Sequence, residues 1–341
     1  MIFDERTLWQ NIKSGDLMPV YLITGDEPYL KLRYTSLIAD AALSGAMRDF
    51  NEVILQGDET NIDDITDSCL QMPAGDGKRC VRVTDMKLDS LSDGDTDKLM
   101  QYLADPAPDT VLIFLQNAAG FSKKTKKAKD LYTAFSKSGG CAQLDKRTEN
   151  DLVRFIVSSA KEKGFTIDPQ DALYMLSRCG DDMSLLEQET EKLGALGCGT
   201  ISRSVIDDAG TVTPEATSFQ MTDAIFGRNA RAAFEYLDIL FEQKTEPMLI
   251  SGALISLYTD IYRVKAAKLS KADPSVLSRI FPAAYKSSFK LKKAVSRASS
   301  LTMPQIKSSL DILADTDRKL KSTSDDKKTV FQQTIVRLMR V

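Results

Sequence analysis

The chain has no histidine and one tryptophan in 341 residues. Without imidazole it has no histidine triad, no histidine-ligated metal and no side chain whose ordinary titration falls near neutral pH. Cysteine is scarce: Cys69, Cys80, Cys141, Cys179 and Cys198 are an odd count with wide gaps. That spacing argues against a disulfide framework and a clustered zinc site, so they read as reduced, mostly buried apolar residues. No apolar run approaches membrane-spanning length, and Met1-Ile2-Phe3-Asp4-Glu5-Arg6 lacks the cationic and hydrophobic regions of a signal peptide. The expectation is a cytoplasmic protein with no metal, no cofactor and no membrane partner.

The composition is that of a globular protein, 43% hydrophobic and 27% charged, and the length predicts two or three domains. The net charge of −3 is unevenly spread: residues 1–211 carry 24 Lys+Arg against 35 Asp+Glu, and residues 212–341 carry 21 against 13. A basic carboxy-terminal region suits nucleic acid or acidic partners. Without interleaved aromatics it reads more simply as a lysine-solvated helical surface.

As far as Leu144, strand-like runs at Val20–Thr24, Phe50–Leu55, Cys80–Thr84, Thr110–Leu115 and Ala142–Leu144 alternate with helical segments. Such alternation predicts a parallel sheet covered by helices. Beyond Asp145 the β-rich runs stop. Thr148 and Asp168-Pro169 are helix starts, Gly164 and Gly180 are stops, and a third helix carries Leu185, Leu186 and Leu193. The polar, breaker-rich stretch Asp207–Pro214 is the best linker candidate. After it come helical stripes, with Pro247, Pro274, Pro282 and Pro304 near helix starts, which predicts a compact bundle.

Gly25-Asp26-Glu27-Pro28-Tyr29-Leu30-Lys31-Leu32 stands at a strand-to-helix turn, where a phosphate-binding loop belongs, and lacks the parts that bind phosphate. The P-loop pattern needs a second glycine for backbone closure and a hydroxyl for magnesium. Leu30 and Leu32 occupy those places, and only Lys31 survives. The strand at Cys80–Thr84 ends in Asp85-Met86; Asp85 suits a metal, but methionine cannot activate water. Gln116-Asn117 after the next strand are of the kind that senses a γ-phosphate, although turn-forming asparagine is commoner. Gly25, Lys31, Asp85 and Asn117 are thus the residue of a degenerate nucleotide site.

Two further segments have competing readings. Lys123-Lys124-Thr125-Lys126-Lys127-Ala128-Lys129 is either a phosphate-contacting run or the solvated start of a helix leading into Leu131 and Phe135. Met72-Pro73-Ala74-Gly75-Asp76-Gly77-Lys78-Arg79 follows a short helix carrying Ile62, Ile65 and Cys69. It is either an ordinary connection or a partner-binding tip on a rigid sheet.

In this order and over nearly the full length, these landmarks resemble the delta subunit of the bacterial DNA polymerase III clamp loader. The resemblance is carried by Val20-Tyr21-Leu22-Ile23-Thr24-Gly25-Asp26-Glu27 and Lys126-Lys127-Ala128-Lys129-Asp130-Leu131-Tyr132. Gly180-Asp181-Asp182-Met183-Ser184-Leu185-Leu186-Glu187-Gln188-Glu189, running on to Lys192-Leu193, and Asp317-Arg318-Lys319-Leu320-Lys321 complete it. It implies an α/β plus all-α chain: an AAA+-like sheet domain over 1–144 with helices on both faces, a small helical lid over 145–211 and a helical collar over 212–341. It also implies a subunit without catalysis of its own that holds the sliding clamp, the beta subunit, and helps open it. The partners implied are ATP-hydrolysing gamma/tau and delta-prime type subunits and primed DNA, with Lys123, Lys124, Lys126 and Lys127 as possible DNA contacts. The polymerase activity of the holoenzyme lies elsewhere.

Two departures stand out. The family's clamp-binding wedge is a pair of large apolar residues, and the corresponding positions are Ala74-Gly75, preceded by Met72-Pro73. Since burying a large apolar side chain contributes roughly 1.5–3 kcal/mol, Met72 and Pro73 must take over the pocket or the grip is weak. Ser322 follows Lys321 where the family often has glycine. The rival readings are a nucleotide-hydrolysing AAA+ ATPase using Lys31 and Asp85, and a helical scaffold of an unrelated complex.

Overall fold

The computed structural model describes residues 1–43, 47–75, 77–116, 125–281, 288–322 and 326–341. The chain divides into two compact units, Met1–Lys146 and Arg147–Val341.

The first unit is built on a six-stranded, wholly parallel sheet. Its strands are β1 (Ile2–Phe3), β2 (Val20–Thr24), β3 (Glu52–Gln56), β4 (Arg79–Thr84), β5 (Thr110–Leu115) and β6 (Gly140–Gln143), in the order β1-β6-β2-β5-β4-β3. β5 is an apolar run after Thr110 with every residue buried, as expected of a strand covered on both faces. On one face α4 (Ile62–Leu70), α5 (Asp93–Ala104) and α6 (Lys126–Ser138) pack Ile65, Leu99, Leu103, Leu131 and Phe135 against Leu22, Val83 and Phe114. α1 (Glu5–Ser14) and α2 (Pro28–Ala42) cover the other face, where the alternate residues of the strands point.

Two elements differ from the sequence expectation. β1 is two residues long and pairs at the edge with Cys141 and Ala142, too short to carry an alternation of its own. The run expected to be a strand from Phe50 starts as the helical turn α3 (Arg48–Asn51), and β3 begins only at Glu52.

The second unit is mainly helical. Its amino-terminal part holds α7 (Glu149–Glu162), α8 (Pro169–Cys179), α9 (Met183–Leu196) and α10 (Arg203–Ala209). Thr148 closes a capping box with Asp151, and Asp168 caps α8 with Pro169 at its first position. A small parallel pair, β7 (Thr166–Ile167) with β8 (Thr200–Ile201), corrects the expectation that strands end at Asp145. There follow α11 (Pro214–Phe226), α12 (Ala230–Glu242), α13 (Pro247–Leu269), α14 (Val276–Ile280), α15 (Ser288–Ser300), α16 (Met303–Ser322) and α17 (Lys327–Met339). α12, α13, α16 and α17 share a core containing Leu237, Leu254, Leu313 and Phe331. Pro247 opens α13 as expected, and Pro282 lies outside the described residues.

The linker expectation needs a further correction. Asp207 and Asp208 belong to α10, and the rest of the stretch is tied to earlier helices. The Thr211 N–H and hydroxyl both donate to the buried Glu189 carboxylate at 2.9 and 2.7 Å, and the Thr213 N–H donates to the Arg178 carbonyl at 3.0 Å.

All five cysteines are free, and four are buried. Burial pushes the thiols of Cys69 and Cys80 up to about 12, which leaves them inert near neutral pH. Among the described residues no helix is long and apolar enough to cross a membrane, and no group of three or more His, Cys, Asp or Glu side chains is placed to hold a metal.

Candidate functional site

In a parallel sheet every strand points the same way, so the candidate residues sort to two opposite edges. Gly25, Lys31 and Asp85 follow the carboxyl ends of β2 and β4. The loop at Met72–Gly75 leads into the amino end of β4. A strand of five or six residues separates the two edges by about 17–20 Å.

At the carboxyl edge the turn from β2 into α2 is filled by the chain's own side chains. Gly25 adopts φ +119, and a Cβ there would lie 2.1 Å from the Leu144 carbonyl oxygen, so only glycine passes. The loop after it is just Asp26 and Glu27, because Pro28 already opens α2. Leu30 and Lys31 therefore lie inside the helix, with Leu30 in the core and Leu32 in solvent. The buried Glu27 carboxylate accepts from the Tyr29 N–H at 3.2 Å and pairs with Lys146 at 3.0 Å. A helix amino terminus attracts anions, and here an internal carboxylate supplies the negative charge. Pro28 adds no N–H to the turn. Lys31 is 4% exposed, and its ammonium donates to the Gln116 backbone carbonyl at 3.0 Å. Asp85, an exposed turn residue at φ +57, donates its N–H to the Leu115 carbonyl at 3.0 Å. Among the described residues the edge thus holds Gly25, Lys31 and Asp85, and the turn after β2 has no second glycine with which to surround a phosphate. Asn117 lies outside the described residues.

The basic run starts α6 on this same edge. Lys123 and Lys124 lie outside the described residues. Lys126 is exposed, whereas the Lys127 ammonium is engaged by the Leu91 carbonyl and by Asp93.

At the amino edge the loop is anchored at its base and apolar at its surface. Arg79, 8% exposed, donates to the Ser68 carbonyl at 2.7 Å, the Gln71 side-chain oxygen at 2.8 Å and the Phe50 carbonyl at 3.5 Å. One guanidinium thereby joins the end of α4, the start of the loop and α3. Asn51 is buried and meets Ala74 twice: its Nδ2 donates to the Ala74 carbonyl at 3.0 Å, and its Oδ1 accepts the Ala74 N–H at 2.7 Å. Gly75 turns the chain at φ +73. Met72 stands 89% exposed, with Leu70 at 66% and Phe50 at 70%. Pro73 and Ala74 are half-buried.

Sequence reading did not find Glu27, Asn51 or Phe50. Glu27-Pro28 carried a helix-start signal, an acidic cap before a first-position proline. Asn51 and Phe50 had none, because both fell inside a run assigned to a strand.

The chain is matched by two family models: that of the DNA polymerase III, delta subunit, over residues 21–138, and that of the DNA polymerase III delta subunit, C-terminal domain, over residues 215–338. It is 23% identical over 352 aligned positions to DNA polymerase III subunit delta of Bacillus subtilis (strain 168), covering 100% of this chain and 97% of that one. Its fold is similar to the solved structure of the Bacillus subtilis DNA clamp loader delta protein, with a TM-score of 0.74 and 20% identity over 98% of this chain and 99% of that one. Gly25, Lys31, Asp85 and the loop at Met72–Gly75 all lie within the first match.

Proposed function

Because the chain belongs to the DNA polymerase III delta-subunit family, we propose that it is a non-catalytic clamp-loader subunit that grips the sliding clamp through the loop at Met72–Gly75 and helps to open it. The observation that carries this reading is Met72, a long apolar side chain almost wholly in solvent on a loop whose base is fixed by Arg79. Met fills a pocket shaped for another side chain because its three rotatable bonds adapt to it. Pro73 and the anchored base reduce the freedom lost on docking.

Opening a clamp by binding alone requires a difference in affinity. A subunit that binds the open interface more tightly than the closed one shifts the clamp toward opening by that difference. No ATP need be consumed in this chain, whose nucleotide edge is closed by Glu27. ATP turnover falls to gamma/tau and delta-prime type sister subunits, which residues 212–341 join as a collar, with 145–211 as a lid. The complex works in the cytoplasm on primed DNA, for which Lys126 is the better-placed described contact.

The test is surface plasmon resonance of the complete chain against the cognate clamp. Met72→Asp loses apolar burial and brings an unpaired carboxylate to the pocket, so binding weakens by more than about tenfold. Ala74→Phe leaves binding unchanged or strengthens it. Unchanged affinity for Met72→Asp means that the clamp is gripped elsewhere.

A further inference from the structure

Ala74-Gly75 supply little apolar area, yet the loop is fastened to a second element that has apolar area to offer. Asn51 closes a two-bond ring with the Ala74 backbone, a pairing that uses both halves of its amide and fixes their orientation. It is the last residue of α3, which carries Phe50 and follows Met47. A Cβ on Gly75 would lie 3.6 Å from Met47 Cγ, so that methionine borders the loop. The Phe50 carbonyl shares the Arg79 guanidinium with Ser68 and Gln71. Met47, Phe50, Leu70 and Met72 are all exposed, and they lie on or border the segments that Arg79 and Asn51 fasten together. Several large apolar side chains exposed together mark an interaction surface rather than a solvated one.

We infer that Asn51 is a positioning residue that locks the loop onto α3, and that Phe50 joins Met72 as an apolar anchor on the clamp in place of the missing wedge. This rests on the reading that this edge of the sheet grips the clamp. The surface is a composite of α3 and the loop, and its rigidity comes from two buried polar side chains at its base. Asn51 touches no partner: it acts through Ala74.

The experiment compares Asn51→Ala, Phe50→Asp and Met72→Asp in the complete chain, reading clamp affinity by surface plasmon resonance and the Ala74 amide by hydrogen exchange. Phe50 is exposed, so its replacement leaves the fold intact. Expected are a loss of about tenfold or more in affinity for Phe50→Asp, a loss of about fivefold for Asn51→Ala, and exchange at Ala74 faster by about tenfold in Asn51→Ala. If Asn51→Ala does not fold, Asn51→Asp is read in its place, since it keeps the acceptor for the Ala74 N–H and loses the donor. If Met72→Asp weakens binding while Phe50→Asp and the Asn51 variant do not, the inference is overturned and the clamp-gripping edge stands. A lowered melting temperature with unchanged affinity makes Asn51 structural only and overturns its positioning role. If all three variants bind as the parent does, both the inference and the edge are withdrawn.

Discussion

Glu27, Pro28 and Leu30 together decide what the carboxyl edge of the sheet can do. The Glu27 carboxylate is buried, caps α2 and pairs with Lys146, so an incoming phosphate meets a negative charge where a P-loop offers amides. Moving Glu27 out of this position would break both its bond from the Tyr29 N–H and its pair with the partly exposed Lys146. Isothermal titration of the complete chain with Mg-ATP should give no binding heat, and Glu27→Gln should not restore it, because Pro28 still offers no N–H and Leu30 still fills the glycine position. A micromolar dissociation constant that disappears in Lys31→Ala would favour the ATPase reading. The sequence made Lys31 legible as the survivor of a motif. It could not show that the ammonium is spent on a carbonyl 85 residues away. Asn51 was hidden for the same reason: its partner, Ala74, is 23 residues distant, and no local periodicity records such a pair.

Among the elements, the connection between α10 and α11 carries the clearest lesson. Its aspartates, glycine and proline read as a linker, and Gly210 and Pro214 do stand at the end of α10 and the start of α11. They did not announce freedom, because the ties come from α8 and α9. Burial raises the Glu189 carboxyl, but donation from Lys192 and from the Thr211 N–H and hydroxyl outweighs it and holds the group below its ordinary 4.5. A carboxylate with a depressed folded pKa contributes stability above its unfolded pKa and loses it as pH falls through the folded value. Glu189→Gln should therefore lower stability at pH 7 by roughly 1–3 kcal/mol, and its deficit should shrink below about pH 4.5. Urea unfolding followed by circular dichroism measures both. A deficit that stays constant with pH would mean that charge plays no part in the tie. Long, strongly patterned elements such as β5 and α13 were read with little error, whereas two-residue strands were missed because two residues make no pattern.

For the molecule as a whole, the account separates two edges of one sheet. At the carboxyl edge the turn after β2 is filled by the chain's own Glu27, Pro28 and Leu30. The amino edge carries an anchored loop, an exposed methionine and an exposed phenylalanine, the surface proposed to grip the clamp. The alternation of the longer strands and helices was legible in the sequence, whereas Glu27 at the carboxyl edge was not. The composition of the docking surface was not, because it joins segments that only the fold brings together.

The most direct measurement is clamp binding by the complete chain in nucleotide-free buffer and again in saturating Mg-ATP. The account predicts the same affinity in both, lowered in both by Met72→Asp. Binding that appears only with ATP, or that ignores Met72, would contradict it.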